Sequence, residues 1–342
     1  MPRKQSPAAR WSQYLALRVA VGLSYLLGVR LSLLIATGVG RILFFFDRKH
    51  RRRALNNVRL AFPEWDDDRV TRVALKSCRR LAQLVVEMIF MPRRIRADNY
   101  ESHLVRRHPK GALDLFHARQ PMVLLTGHFG TWEAMPYFLS LEGHAIAVTV
   151  RPLDNPLINN WLLGVRRTHG ANVIEKWNDA DARIIAAIEN REAVGFVADQ
   201  NGGERGLFVP FFGRLASTPK TVGLLAMGRN LPIVCGFARR VKRYDLDYEI
   251  TAVEIIRPED WRECSDPLFY ITARYVSVIE QFVRKHPEEY LWMHRRWKNR
   301  PRFEREGKPM PSSLKEKLRE LPWVDEPLIE QLQKPLGFDS YA

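Results

Sequence analysis

"MVLLTGHFGTWEAMPYFLSLEGHAIAVTV", residues 122–150, decides the fold. It opens on an apolar run, "MVLLT" (122–126), and turns at Gly127 and Gly130. An amphipathic helix near 131–142 leads to a second β-rich run, "AIAVTV" (145–150). A short apolar run bounded by glycine fits a strand buried on both faces, and strand, helix and strand at this spacing form a βαβ unit. The rhythm repeats downstream. Strands are predicted at "NVIE" (172–175), "AVGFVA" (193–198) and "LPIVCGF" (231–237), with helices near 156–168, 179–190 and 219–229. "DYEITAVEII" (247–256) alternates as a further strand, expected at an edge, and 267–286 reads as another amphipathic helix. "STPKTVGLLA" (217–226) reads as a helix start with Thr218 at the N-cap and Pro219 first in the helix. The class is α/β, with a largely parallel central sheet flanked by helices.

Upstream the character changes. "VAVGLSYLLGVRLSLLIATGVGRILFFF" (19–46) is strongly apolar, yet Arg30 and Arg41 keep its charge-free runs short of the ~20 residues a spanning helix needs. The run "DRKHRRR" (47–53) follows directly, and basic clusters beside an apolar helix are held at an anionic leaflet. Residues 1–50 therefore read as a membrane-associating segment, dipping into the bilayer or weakly spanning it, with anionic membrane lipids as its partners. Residues 54–91 read as helical with a turn at "FPEWDDD" (62–68). The α/β domain is assigned to 51–301, and the proline-rich, charged stretch 302–342 to a surface tail.

With 342 residues, 46% of them apolar, the chain has ample material for a core. Its balance of +16 favours anionic partners: a phospholipid surface, a phosphorylated substrate, an acidic carrier protein or nucleic acid. Cys78, Cys235 and Cys264 are too few and too scattered for a disulfide framework or a zinc ribbon. No HExxH, paired CxxC or Walker-type loop occurs, so neither metal nor nucleotide is expected.

Ligands in open α/β sheets collect at the carboxyl ends of strands. His128 stands two residues past one such end, between glycines that let the chain turn tightly. Glu133 follows five positions on, about 140° further round if both lay on one helix, so the two face each other only if His128 sits on the preceding loop. Asp199, after "AVGFVA", is a second carboxylate within reach from a neighbouring strand.

"GHFGTWE" (127–133) resembles the H-x4-D/E motif of the lysophospholipid acyltransferase superfamily, and its HFGxWE form resembles the bacterial lipid A late acyltransferases. "RRRALNNVRLAFPE" (51–64), "TVRPLDNP" (149–156), "VADQNGGERGLFVPFFGR" (197–214) and "EYLWMHRRWKNRP" (289–301) resemble that family's other blocks, in its order. Mycobacterial phosphatidylinositol mannoside acyltransferases are similar in the same regions. The resemblance implies transfer of a fatty acyl chain from an acyl carrier protein or acyl-CoA thioester to a hydroxyl of a phosphorylated glycolipid, a lipid A precursor or its like. It requires no cofactor beyond the thioester co-substrate, and places the protein on the cytoplasmic face of a bacterial inner membrane.

That chemistry needs a base to take the hydroxyl proton, a carboxylate to orient the base, and donors for the oxyanion. His128 is the expected base, and either Glu133 or Asp199 its partner. Backbone N–H groups around 127–130 or the loop "NGGERG" (201–206) are the candidate oxyanion donors. Arg151 is expected to bind a phosphate, with Gln200, Phe212, Gly213 and Arg295 as further substrate-binding residues. "WMHRRWK" (292–298) interleaves aromatic and basic residues, a pattern suited to nucleic acid or a lipid interface; with no nucleic-acid module beside it, lipid is expected and nucleic acid is not. His294 is the rival histidine, lacking a glycine-framed strand end. Other acceptors, such as a phosphatidylinositol mannoside, and a catalytically silent lipid-binding role are the alternatives.

Overall fold

The computed structural model describes residues 6–108, 111–168, 170–176 and 179–335. Three helices come first: α1 (Pro7–Phe46), α2 (Arg48–Ala61) and α3 (Asp67–Arg94). The alternating region follows as β1 (Leu104–Arg107), α4 (Ala112–His117), β2 (Met122–Thr126), α5 (Ala134–Leu141), β3 (Ile146–Val150), α6 (Pro156–Arg167), β4 (Asn172–Glu175), α7 (Ala180–Glu189) and β5 (Ala193–Val197). A hairpin, β6 (Leu207–Phe211) and β7 (Arg214–Thr218), precedes α8 (Thr221–Arg229), β8 (Ile233–Arg240) and β9 (Tyr248–Ile256). The chain ends with α9 (Pro258–Trp261), α10 (Pro267–Lys285), α11 (Arg302–Arg305), α12 (Ser312–Arg319) and α13 (Glu326–Leu332).

Seven strands form one sheet in the order β1-β9-β8-β2-β5-β3-β4, parallel except where β9 runs antiparallel to β8. Every residue of β2 is buried, as an apolar run without alternation requires. Val123 and Leu125 face one core with α10; Met122 and Leu124 face the other with α3 and α5. β9 is not an edge. It is covered by β1, whose "LVRR" has one buried residue and three exposed, and so carries no periodic apolar signal. The hairpin was also hidden, because Pro210 and the Phe211–Phe212 pair look like loop and core. Thr218 ends β7 rather than capping a helix, and α8 begins three residues later with Lys220 at its N-cap.

α1 is 40 residues long, apolar enough to cross a membrane, and kinked at Gly28, whose φ is +74°. Its inner residues, Leu33 and Ala36 among them, pack against α3, while Leu26 and Phe46 are more than four-fifths exposed. Arg30 and Arg41 do not interrupt the helix, because both sit on its exposed side. The basic run expected to end the first segment is the start of amphipathic α2, which buries Ala54, Asn57 and Val58. The stretch after Pro301, expected as a surface tail, contributes to the core: Leu318, Leu321, Ile329 and Leu332 are buried on the α10 side. These apolar positions belong to turns too short for their periodicity to stand out among charges and prolines.

Candidate active site

Register brings the site together. β2 and β5 are neighbours with Thr126 opposite Val197, so His128 and Asp199, each two residues beyond its strand, emerge side by side. The loop 127–131 is pinned from several directions: Gly130 N–H donates to Glu289 O (2.9 Å), Thr131 N–H to Ala238 O (2.9 Å), and His128 O accepts from Leu291 N–H (3.0 Å). Gly130 has φ +54°, and a Cβ there would lie 2.3 Å from Ala238 O, so only glycine fits.

His128 Nδ1 is 2.7 Å from Asp199 Oδ1, and the His128 backbone N–H donates to Oδ2 of the same carboxylate at 3.0 Å. Asp199 is 1% exposed. Burial alone would raise its pKa, but the adjoining His128 ring and the hydrogen bonds from it outweigh that and hold the carboxyl below the usual range. An ionised carboxylate accepts only, so Nδ1 carries a proton and Nε2 is left to act as base. Nε2 lies 3.4 Å from the side-chain nitrogen of Gln200. Trp132 packs edge-on against the imidazole at 5.0 Å.

Glu133 does not orient the histidine. At the N-cap of α5, it is held by Arg166 of α6, with Nε donating to Oε2 at 3.0 Å and a second bond from Nη2 to Oε1. Sequence reasoning missed Arg166, which no motif marks. His128, Glu133, Arg151, Arg166, Lys176 and Gln200 all line one cavity of about 330 Å³ whose inner wall is apolar. Arg151 is exposed and lines the same cavity. Lys176, unread in the sequence, lines the same cavity; partial burial and then the charge of Arg151 hold its ammonium below its ordinary range.

Three other expectations are corrected. Phe212 and Gly213 form the β6–β7 turn, both with positive φ. Phe212 packs on Phe62 and Trp292, and a Cβ at Gly213 would strike Gln331, so they build core and not cavity. Arg295 is exposed and does not line the cavity; its carbonyl accepts from the Asn201 side chain and from Lys298 N–H. Its neighbour Arg296 is the buried one, donating to Ser217 O (2.6 Å) and Thr218 Oγ1 (2.8 Å) and so bracing the chain beyond Asp199. Most of the expected backbone donors are engaged: the N–H groups of His128, Phe129, Gly130 and Thr131 are bonded within the fold, as are those of Gly202, Gly203 and Gly206.

His294, discounted for want of a strand end, stands 4.3 Å from the His128 ring, with Nδ1 4.0 Å from Asp199 Oδ2. Burial, reinforced by His128, pushes its pKa down to about 4. The unfolded chain would protonate this histidine near its ordinary pKa of about 6.5. Stability from its neutral form is therefore complete above that pH and falls progressively toward pH 4, by at most about 3 kcal/mol. His294→Gln should flatten this part of the profile in urea unfolding of the detergent-solubilised protein at pH 7.5 and 4.5. His128, Asp199 and His294 also offer three ligand atoms within 4.8 Å of one another, a set able to hold a metal ion. His128 Nδ1 and Asp199 already satisfy each other, and a metal taking both would have to break that bond.

Comparison with known proteins agrees with the resemblance read in the sequence. Residues 3–299 match the model of the bacterial lipid A biosynthesis acyltransferases. The chain is similar to the lipid A biosynthesis lauroyltransferase of Escherichia coli K12, 28% identical over 273 residues, 77% of this chain and 84% of that protein. It is also similar to a lipid A biosynthesis acyltransferase of Haemophilus influenzae, 26% identical over 279 residues, 78% and 84% of the two chains. The solved 1-acyl-sn-glycerophosphate acyltransferase PlsC of Thermotoga maritima aligns over 75% of this chain and 95% of its own with a TM-score of 0.33 and 14% identity, too distant to bear on the site. A match running from the apolar helix through the histidine loop into the last motif block shows that the chain belongs to the bacterial lipid A biosynthesis acyltransferase family.

Proposed function

We propose that this O-acyltransferase of lipid A biosynthesis uses His128 as its general base and Asp199 as the carboxylate that orients it, with acyl carrier protein or CoA carrying the acyl chain. The 2.7 Å bond from His128 Nδ1 to Asp199 supports this reading most directly, since it leaves Nε2 free beside Gln200 on the cavity wall. In the reaction the acceptor hydroxyl gives its proton to Nε2 as its oxygen bonds to the thioester carbon. The resulting imidazolium is stabilised by the Asp199 carboxylate. The tetrahedral oxyanion collapses, the carbon–sulfur bond breaks, and the departing thiolate takes the proton from Nε2, giving ester and thiol. With the N–H groups of His128 to Thr131 engaged and its side-chain nitrogen 3.4 Å from Nε2, the Gln200 amide is the donor we assign to the oxyanion. No metal or cofactor enters this scheme.

The apolar inner wall of the cavity suits the acyl chain, and the cationic rim, Arg151 with Lys176, suits a phosphate of the acceptor. The Glu133–Arg166 pair shapes the opening between them. Removing one charged donor costs about 1.5–3 kcal/mol, or roughly ten- to a hundredfold in affinity. Arg151→Gln and Lys176→Gln should each raise KM for a phosphorylated acceptor by about that factor, leave kcat within about twofold, and have no effect on a dephosphorylated acceptor; Michaelis kinetics on the two acceptors check this.

The outward apolar face of α1 and the basic start of α2 support a position on an anionic leaflet, which we read as the cytoplasmic face of the inner membrane, where a glycolipid acceptor and a soluble thioester meet. The test of function is mass spectrometry of products formed by the purified protein from a lipid A precursor and a ladder of acyl donors. A mass gain of one acyl chain is expected; acylation of phosphatidylinositol mannosides alone, or no acylation of any lipid, would overturn the reading.

A further inference from the structure

A second cavity, about 60 Å³, lies on the same side of the sheet as the first. α5 packs across β3 and β8, so the larger cavity sits on its β3 side and the smaller on its β8 side. Leu124 of β2 and Met135 of α5 line both, and so form the partition between them beneath the helix. The lining of the smaller cavity is mainly apolar, with Phe116, Leu139, Val234, Ile250 and Ala252 beside Gly236, while Arg106, Arg107, His108 and Glu142 also border it. The apolar part of such a space attracts hydrocarbon and holds water poorly.

The partition is soft on one side. Methionine has three rotatable side-chain bonds and is the most adaptable apolar residue. Opposite it stands Gly236 at a bulge in β8, where a Cβ would lie 3.1 Å from Met135 Sδ. The missing side chain gives Met135 room to turn aside.

We propose that the second cavity receives the methyl end of a donor acyl chain too long for the first, with Leu124 and Met135 as the gate, so that this partition sets the chain length the enzyme transfers. The inference rests on the reading above, in which the thioester carbon is fixed at His128 and the chain runs inward along the apolar wall. With the reacting end fixed, each added methylene must advance the far end toward the partition. An apolar pocket discriminates one methylene by roughly ten- to 200-fold at most, which sets the scale.

The test measures kcat/KM for donors of stepped chain length on one acceptor, for the full chain in detergent. Ala252→Phe fills the distal cavity and should lower the preference for the longest accepted chain over one two carbons shorter by about tenfold or more. Met135→Ala removes the flexible half of the gate and should raise that preference by a similar factor. A parallel arm holds the donor fixed and varies the acceptor's own acyl chains; no shift is expected there. Thermal unfolding identifies a misfolded Ala252→Phe protein, in which case Met135→Ala alone decides. Unchanged donor preference in folded variants, or a shift that follows the acceptor's chains and not the donor's, overturns the proposal while leaving the proposed chemistry standing. Failure of the wild-type protein to transfer any chain would instead remove the proposed function, and this inference with it.

Discussion

Asp199→Asn is expected to lower kcat for acyl transfer by about 10⁴-fold while leaving KM for both substrates within a few fold. The replacement keeps the volume of a residue that is 1% exposed and keeps an oxygen for the His128 backbone N–H. What it changes is the proton. A carboxylate only accepts, so it keeps hydrogen on His128 Nδ1, whereas the asparagine amide can donate to Nδ1 and move the imidazole proton to Nε2. A histidine with Nε2 protonated cannot take the acceptor's proton. It also loses the negative charge that stabilises its cationic form during the reaction. Glu133→Gln provides the control. Glu133 is spent on Arg166, so its loss loosens the cavity wall and should cost no more than about tenfold, chiefly in KM. Michaelis kinetics on the two variants decide which carboxylate is the relay. Equal kcat losses in both, or a larger one in Glu133→Gln, would return that role to the motif acid.

The motif acid misleads for a reason visible in the register. Linear spacing relates residues along one chain, and His128 and Glu133 are five apart on a loop that turns into α5. The residue that reaches His128 follows β5, 71 positions away, and is brought there by parallel pairing of Thr126 with Val197. The strands themselves were legible because β2, β3, β4 and β5 are short apolar runs between helices and turns. From those boundaries alone, Asp199 could be placed at a neighbouring strand end, though no closer. His294 was illegible as a neighbour because it arrives on a loop after α10, held by the bond from Leu291 N–H to His128 O. Arg166 and Lys176 were invisible for a different cause: each is one cation among 54, and only the cavity distinguishes it from the rest. Phe212 and Gly213 erred the opposite way. Their block resembles the family, but its residues serve a hairpin turn that braces the fold. β1 and the C-terminal helices were missed because segments of four to eight residues, dominated by charge, carry too few apolar positions for a period to show.

His128→Ala should reduce kcat by about two to four orders of magnitude, the span a positioned general base contributes. Its side chain is 15% exposed and its backbone contacts, the N–H to Asp199 and the C=O from Leu291, survive truncation, so the protein is expected to fold and to bind vesicles as the wild type does. The variant leaves a specific defect behind. Asp199 stays buried but loses the ring that held its carboxyl low, keeping the His128 N–H with Tyr290 and the more distant His294 nearby, and a space the size of an imidazole opens next to Gln200. Added imidazole fits both vacancies: one nitrogen donates to Asp199 while the other faces the acceptor hydroxyl. Partial rescue of transfer by imidazole, saturable and greatest above its pKa where the free base predominates, therefore distinguishes a missing base from a distorted site. A variant that binds membranes and transfers acyl chains at the wild-type rate would show that His128 only shapes the strand end, and would favour a lipid-binding role for the chain. The two histidines can also be told apart this way. His294 is already held neutral by burial, and its ring touches the face of His128, with its Nδ1 still 4.0 Å from the carboxylate. Its removal should thus move the pH dependence of kcat/KM without abolishing the rate, and imidazole should not restore what is lost.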